Sequence, residues 1–345
     1  MIWRKGEEID FLGVLGVSAV NRTGMQVFHK LGEVPHDFGP AVVSVGNFDG
    51  VHRAHRHVLG EIVARAKAAN ARSVAVTFEP HPFRILRPDH ALKLLTPTPE
   101  KLRLLATTDL DAVLLLPFTR DLSLMSPHQF AHDILKKHLH AREVHEGYNF
   151  HFGHKAAGTI QVLRELGREM GFEVHDYPEM RLRGEHVSSS HIRKLLSEGK
   201  ASRARHLMGR PFSILSYAGR GRGYGSKYTV PTINLARYEE LTPKHGVYIT
   251  RVRIGSGDKA ECFDAVTNVG NRPTFGADSF AIESHLLNFH PFELTAETEV
   301  ELHFLDRLRD EVKFPSIEAL KEQIGRDVRK AQKYLRRLGR LQPTK

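Results

Sequence analysis

Residues 41–55 read AVVSVGNFDGVHRAH, which is an apolar run, a turn with two glycines, and two histidines. The apolar run is typical of a buried strand, and residues 53–69 carry apolar side chains at helical spacing. A second apolar run at 73–78 completes a pattern that predicts a β-α-β unit. The turn brings His52 and His55 to the helix N-terminus, where free N–H groups and the helix dipole attract phosphate. We therefore expect a phosphate-binding turn.

The rest of the first half continues this alternation of strands and helices. Strands are predicted at 111–116, 143–145 and 172–174, and helices near 98, at 130–139 and at 159–170. Such alternation predicts a parallel sheet covered by helices. Ligands of these sheets bind beyond the carboxyl ends of the strands, which is where residues 47–55 would lie.

The pattern changes after a helix predicted at Ile192–Met208. Short β runs separated by turns follow at 212–217, 247–254, 262–267, 280–289 and 300–304. This spacing predicts a small antiparallel barrel. Ser316 then caps a long helix with apolar residues on one face.

Composition limits the class of protein. A length of 345 residues suits about two domains, and the single cysteine, Cys262, excludes an internal disulfide framework. The apolar stretch 12–20 is too short to span a bilayer, so we expect a cytoplasmic protein. A net charge of +10 suits either nucleic acid or phosphorylated small molecules. Much of the basic excess falls on the last helix, where it is typical of a solvated face, and no stripe of aromatic and basic residues supports nucleic-acid binding.

Eight motifs in one order resemble bacterial riboflavin kinase/FAD synthetases over roughly residues 41 to 338. The motifs are GNFDGVH with HRAH (46–55), FEPHP (78–82), GYNFHFG (147–153), SSSHIR (188–193), GRPF (209–212), PTIN (231–234), NVGNRPTF (268–275) and ESHLL (283–287). The resemblance implies an α/β nucleotidyltransferase module with a Rossmann-like parallel sheet, followed by a small antiparallel β-barrel kinase module with a C-terminal helix.

The resemblance also implies domain bounds and two activities. The expected parts are an N-terminal extension without assigned role (1–40), an FMN adenylyltransferase module (41–190), a connecting helix (191–208) and a riboflavin kinase module (209–345). The second module would phosphorylate riboflavin with ATP and Mg²⁺, and the first would join FMN to AMP, giving FAD and pyrophosphate. The expected partners are riboflavin, FMN and ATP, with neither nucleic acid nor membrane; the oligomeric state stays open.

In the first module the resemblance assigns catalysis to His52 and His55, whose imidazoles can stabilise charge on the phosphates. The residues assigned to ATP and its phosphates are Gly46, Asn47, Phe48, Asp49, Gly50, Ser188, Ser189, Ser190 and Arg193. Asp49 either holds the turn or faces a metal ion. Asn149 is assigned to the flavin.

In the second module the resemblance assigns the general base to Glu283, which would accept the proton of the ribityl hydroxyl. Thr232 and Asn234 lie two apart in an extended segment and so share a face, where their oxygens suit Mg²⁺. The glycine-rich loop assigned to phosphates contains Gly221, Gly223 and Gly225.

Four residues depart from the family pattern. Ala54 and Thr229 stand where the family usually has Gly, and Asn149 and Asn288 stand where Asp is frequent. Ala54, Asn149 and Thr229 leave open the alternative of a protein with one module degraded. A second alternative, of another class, is a nucleic-acid-binding protein on a nucleotidyltransferase fold.

Overall fold

The computed structural model describes residues 19–20, 24–90, 92–219, 232–236, 238–256, 260–271, 280–290, 295 and 297–340. The chain divides into two compact units. The first unit is Ile9–Ser189, and the second unit contains Ser190–Lys345.

The first unit is built on a seven-stranded sheet in the order β1-β2-β5-β4-β3-β6-β7. Its strands are β1 (Ala19–Val20), β2 (Gln26–Phe28), β3 (Ala41–Val45), β4 (Arg72–Glu79), β5 (Ala112–Pro117), β6 (Ala141–Gly147) and β7 (Glu173–Tyr177). All neighbours pair in parallel except β1 and β2. The predicted parallel sheet is confirmed.

Helices cover both faces of this sheet, so its central strands are buried and apolar on both sides. The helices are α1 (Arg53–Ala68), α2 (Pro82–Leu86), α3 (Thr98–Leu105), α4 (Arg120–Leu124), α5 (Pro127–Gln129) with the π-helical segment Phe130–His138, and α6 (Ile160–Met170). Val43 and Val45 pack with Ile134 on one face. Val42 packs with Leu59 and Ile62 of α1 on the other.

The expected boundary at residue 41 needs correction, because part of the segment 1–40 belongs to the sheet. Strand β2 pairs in parallel with β5, and Met25, Val27 and Phe28 are buried. Their apolar side chains extend the core beyond the region covered by the motifs. Three apolar residues are too few to stand out as a strand in the sequence.

The second unit contains a six-stranded antiparallel sheet in the order β10-β15-β12-β13-β14-β11. Its strands are β10 (Phe212–Tyr217), β11 (Thr232–Asn234), β12 (Gly246–Ile254), β13 (Glu261–Asn271), β14 (Phe280–Leu286) and β15 (Glu299–Arg309). A bridge between Ala218 and Leu235 joins the two edge strands. This bridge closes the sheet, so the predicted small barrel is confirmed. The pair β8 (Arg181–Leu182) and β9 (Glu185–His186) forms a separate hairpin in the first unit.

The segment 191–208, expected to form one connecting helix, forms two: α7 (Ser189–Ser197) and α8 (Ala201–Met208). Gly199 lies between them with a φ of +78°, which a right-handed helix does not contain. A Cβ at Gly199 would lie 2.6 Å from Cδ of Arg307 on β15, so the helices and the barrel meet closely at this point.

The final helix is α9 (Ile317–Arg340). Its Ala331 is buried against Val247, Ile249 and Leu305 on the outer face of the barrel. No helix among the described residues is long and apolar enough to cross a membrane.

Candidate functional site

The turn between β3 and α1 has an unusual backbone. Phe48, Gly50 and Val51 have φ angles of +46°, +87° and +36°, of which only the glycine adopts such values readily. The Phe48 ring is buried, and it lies 3.3 Å from the place where a Cβ of Gly46 would stand. This conformation persists because neighbouring groups hold it.

Asp49 is the main such group. Its buried carboxylate accepts hydrogen bonds from the backbone N–H groups of Leu95 (3.1 Å) and Thr96 (2.9 Å). The Ser189 hydroxyl donates to the carbonyl oxygen of Asp49 at 2.8 Å. Asp49 was expected either to hold the turn or to face a metal ion. These contacts support the first role, in which Asp49 stabilises the conformation of the turn.

His52 and His55 stack at the start of α1, with ring centroids 3.6 Å apart and planes inclined by 16°. His52 caps the helix, because its Nδ1 accepts from the His55 backbone N–H at 3.4 Å. Nδ1 of His52 is therefore unprotonated, and Nε2 carries the hydrogen and is a donor. The Nδ1 of His55 is buried and has no hydrogen-bond partner.

Burial lowers the pKa of His55 well below its usual value, and His52 and Lys101 lower it further. His55 is consequently neutral at neutral pH. A neutral imidazole offers one donor and one acceptor, so this ring can hydrogen-bond a phosphate oxygen without carrying a charge of its own.

Lys101 on α3 is a component that sequence reasoning missed. Only 5% of its surface is exposed, and Nζ donates to Thr77 Oγ1 (3.1 Å) and to the carbonyl oxygens of Phe78 (3.3 Å) and Asn47 (3.4 Å). Desolvation lowers the pKa of Lys101 to about 8, although Glu79 and Asp49 oppose the shift. The sequence did contain one signal that Lys101 is buried. It precedes Leu104 by three residues and Leu105 by four, so it lies on the same buried face of α3.

The loop that contains Asn149 follows β6, and β6 pairs in parallel with β3. Because parallel neighbours end at the same edge of the sheet, this loop and the turn at 46–52 leave adjacent strands on the same side. Asn149 is exposed there, with its Oδ1 3.5 Å from the place of a Gly147 Cβ. Ser188 and Ser189 fall in the first unit, while Ser190 and Arg193 fall in the second.

Glu283 lies on β14 of the second unit, between two amide residues. Its register partners are Asn234 on β11 and Asn268 on β13, and His285 is paired with Thr232. Side chains directly opposite each other share a face of the sheet. The buried residues of β14 are Ile282, Ser284 and Leu286. The structure thus brings Glu283, Thr232 and Asn234 onto one face, opposite the buried one.

A chain of hydroxyl groups fixes the strands beneath this face. Thr250 and Thr267 lie 2.7 Å apart, and Thr267 and Ser284 lie 2.9 Å apart, all fully buried. These bonds link β12, β13 and β14. They limit the movement of the strand that carries Glu283.

The glycine-rich loop with Gly221, Gly223 and Gly225 lies outside the described residues, as does Thr229.

Comparison with known proteins identifies the family to which each half of the chain belongs. Residues 34–191 match the family described as FAD synthetase, and residues 208–335 match the family described as riboflavin kinase. A bifunctional riboflavin kinase/FMN adenylyltransferase of Escherichia coli K12 is 32% identical over 299 residues, which cover 87% of this chain and 93% of the relative. The chain belongs to this bifunctional family.

Further relatives extend the comparison. A bifunctional riboflavin kinase/FMN adenylyltransferase of Pseudomonas fluorescens is 33% identical over 88% of this chain and 96% of its own length. The crystal structure of a macrolide-efflux protein from Streptococcus pneumoniae has a TM-score of 0.78 to this chain, and the match covers 89% of this chain and 98% of that chain. Its identity is 24%, so it shows a shared fold.

As a member of the bifunctional riboflavin kinase/FMN adenylyltransferase family, the chain contains both enzymatic domains. The first domain match begins at residue 34 and thus includes part of the segment that was expected to be an extension.

Proposed function

We propose that the first unit transfers AMP from ATP to FMN, and that the second unit phosphorylates riboflavin. The observation that carries the first assignment is the convergence of two stacked imidazoles and a buried lysine at one helix N-terminus. This arrangement offers hydrogen-bond donors and positive charge at one place.

In adenylyl transfer, a phosphate oxygen of FMN attacks the α-phosphorus of ATP. A new P–O bond forms while the bond to the bridging oxygen breaks, and pyrophosphate leaves with the electron pair. Nε2–H of His52, the first-turn N–H groups of α1 and the Lys101 ammonium would stabilise the charge that accumulates on the phosphates. The neutral His55 would add a hydrogen bond.

In the kinase reaction, the ribityl 5′-hydroxyl attacks the γ-phosphorus of ATP, and ADP leaves. We assign acceptance of the hydroxyl proton to Glu283. The hydroxyl of Thr232 and the amide oxygen of Asn234 are hard donors on the same face, so they fit Mg²⁺, which would neutralise phosphate charge when bound.

Two variants of the full chain test both assignments together. Glu283→Gln keeps the shape of the side chain but removes the base, so FMN formation should fall about 10²–10⁴-fold. His55→Ala should reduce FMN-to-FAD conversion by about 10²–10³-fold if the ring acts in the transition state. The assay supplies riboflavin or FMN with ATP and Mg²⁺ and separates the flavins by chromatography.

Each variant serves as the control for the other, because each should retain the reaction of the other unit. Normal riboflavin phosphorylation by Glu283→Gln would remove this carboxylate from the mechanism. A wild-type chain that performs only one reaction would instead support the alternative of one degraded module.

A further inference from the structure

A second group of functional side chains lies on β6 and β7, apart from the residues assigned above. Among the described residues, Glu143, His145 and His175 are the group of histidine and carboxylate side chains placed closely enough to hold a metal ion. Their ligand atoms all lie within 4.8 Å of one another. Glu143 Oε2 is 3.0 Å from Nε2 of His145 and 3.6 Å from Nε2 of His175.

The parallel register explains why these side chains meet. His145 and His175 are direct partners on β6 and β7, and their rings stack with centroids 4.5 Å apart. Glu143 lies two residues before His145 and therefore projects from the same face. The group is thus fixed by two paired strands and does not depend on a loop.

The distances suit zinc. Bonds of about 2.0–2.1 Å in a tetrahedral zinc site place neighbouring ligand atoms about 3.3–3.5 Å apart. The distances from Oε2 of Glu143 to Nε2 of His145 (3.0 Å) and to Nε2 of His175 (3.6 Å) lie just below and just above that range. Two imidazoles and one carboxylate also form a donor set that favours zinc over Mg²⁺, which prefers oxygen ligands.

One of the proposed ligand atoms makes no hydrogen bond. Nε2 of His175 is buried and makes no hydrogen bond. It lies 3.5 Å from Oε2 of Glu173, whose side chain is mostly exposed. A buried ring nitrogen without a hydrogen bond is unfavourable, and a bound cation would give this nitrogen a ligand bond.

The surrounding groups orient the ligands as outer partners do in known metal sites. The Tyr177 hydroxyl is 2.7 Å from Nδ1 of His145, which leaves Nε2 to face the group. Arg65 of α1 donates to both carboxylate oxygens of Glu143 at 2.8 and 2.9 Å.

We propose that Glu143, His145 and His175 bind one Zn²⁺ ion, with the carboxylate of Glu173 as the fourth ligand. The ion would link β6 to β7 directly beneath the loop at 147–153. On binding, Nε2 of His145 gives up its hydrogen bond to Glu143 and Tyr177 accepts from Nδ1–H instead.

The test uses the full chain after removal of metals by a chelator, titrated first with Co²⁺ and then with Zn²⁺. We expect one equivalent of Co²⁺ to give the intense visible absorption of tetrahedral coordination, and Zn²⁺ to abolish it. His175→Ala should eliminate this absorption. Tyr177→Phe should weaken Zn²⁺ binding by about 10–100-fold, the usual effect of losing an outer partner.

The matched control is His132→Ala. His132 and His128 form an exposed stacked pair with ring centroids 6.2 Å apart, away from the proposed ligands in the sequence. This variant should leave the tetrahedral absorption intact. FAD synthesis by each variant reports whether the first unit is folded.

Three results would overturn the proposal: no tetrahedral absorption in the wild-type chain, its persistence in folded His175→Ala, or its loss in His132→Ala. An affinity unchanged in Tyr177→Phe would also contradict the assigned outer partner, independently of whether His175→Ala folds.

Discussion

At the scale of single residues, Lys101 is the side chain whose removal most directly tests the adenylyltransferase site. Its ammonium contacts Thr77 and the carbonyl oxygens of Asn47 and Phe78. Lys101→Met fills similar space without the charge, so FAD synthesis should fall by about 10²–10³-fold, as when a preorganised donor is removed. Riboflavin phosphorylation, measured in the same preparation, should be unchanged; an equal loss of both activities would indicate misfolding.

The depressed pKa of Lys101 also predicts two pH effects. Because the folded pKa is about 8 and the unfolded one about 10.5, the unfolded chain binds more protons between these values, so stability rises with pH in that window. The rise amounts to roughly 3 kcal/mol at most. It should appear as a difference in unfolding free energy between wild type and Lys101→Met. Over the same range, kcat/KM for FAD synthesis should decline as the free enzyme loses the charge.

The sequence could identify residues whose role depends on local chain geometry. His52 and His55 are three residues apart at a helix start, and this spacing alone predicts their proximity. Lys101 could not be predicted as a site residue, because its hydrogen-bond partners lie on β4 and in the turn after β3. The sequence does not show that these segments lie beside α3. The contacts of Asp49 with Leu95 and Thr96 are likewise tertiary.

At the scale of elements, periodicity predicted the long buried segments and missed the short or interrupted ones. Strand β3 and helix α1 appear almost as expected, because their apolar patterns are continuous. The break between α7 and α8 was missed because apolar residues recur at helical spacing on both sides of it, although the intervening residues 197–200, Ser-Glu-Gly-Lys, interrupt the pattern. Strand β2 was missed because it has three residues, and its burial depends on β5.

The loop at 147–153 ends at Gly153, and this residue predicts a further effect. A Cβ there would lie 2.8 Å from the backbone nitrogen of Pro127, and its φ is +72°. Gly153→Ala should displace the loop at a cost of about 1–3 kcal/mol, which would raise the KM for FMN by roughly 5- to 150-fold if it acts wholly on FMN binding. The measurement is the FMN dependence of FAD synthesis.

The matched control for this loop is Gly184→Ala. Gly184 has a similar φ of +81° but no atom within 4 Å of an added Cβ. Gly184→Ala therefore introduces the same backbone strain as Gly153→Ala, about 1–2 kcal/mol, without the steric conflict. If both variants change the KM for FMN equally, the contact with Pro127 has no part in flavin binding.

At the scale of the whole molecule, the order of the motifs predicted two modules, 41–190 and 209–345, with a separate connecting helix at 191–208. The bridge from Ala218 to Leu235 closes the barrel, and no local pattern could predict a pairing between its first two strands at this point. Helices α7 and α8 belong to the same unit as the barrel. The backbone N–H of Lys244 donates to the carbonyl oxygen of Leu196 at 2.9 Å, which ties α7 to that unit.

This division predicts the outcome of cutting the chain. A fragment 189–345 retains α7 and α8 and should fold and convert riboflavin to FMN, without FAD synthesis. A fragment 206–345 lacks Ile192, Leu195 and Leu196, which are buried and worth about 1.5–3 kcal/mol each. Their loss approaches the whole stability of a typical domain, about 5–15 kcal/mol, so this shorter fragment should be unfolded or far less stable. Thermal unfolding and the flavin assay are measured on both fragments. Equal stability of the two fragments would show that the two helices contribute nothing to the kinase fold. A longer fragment that folds but is inactive would place part of the kinase site elsewhere in the chain.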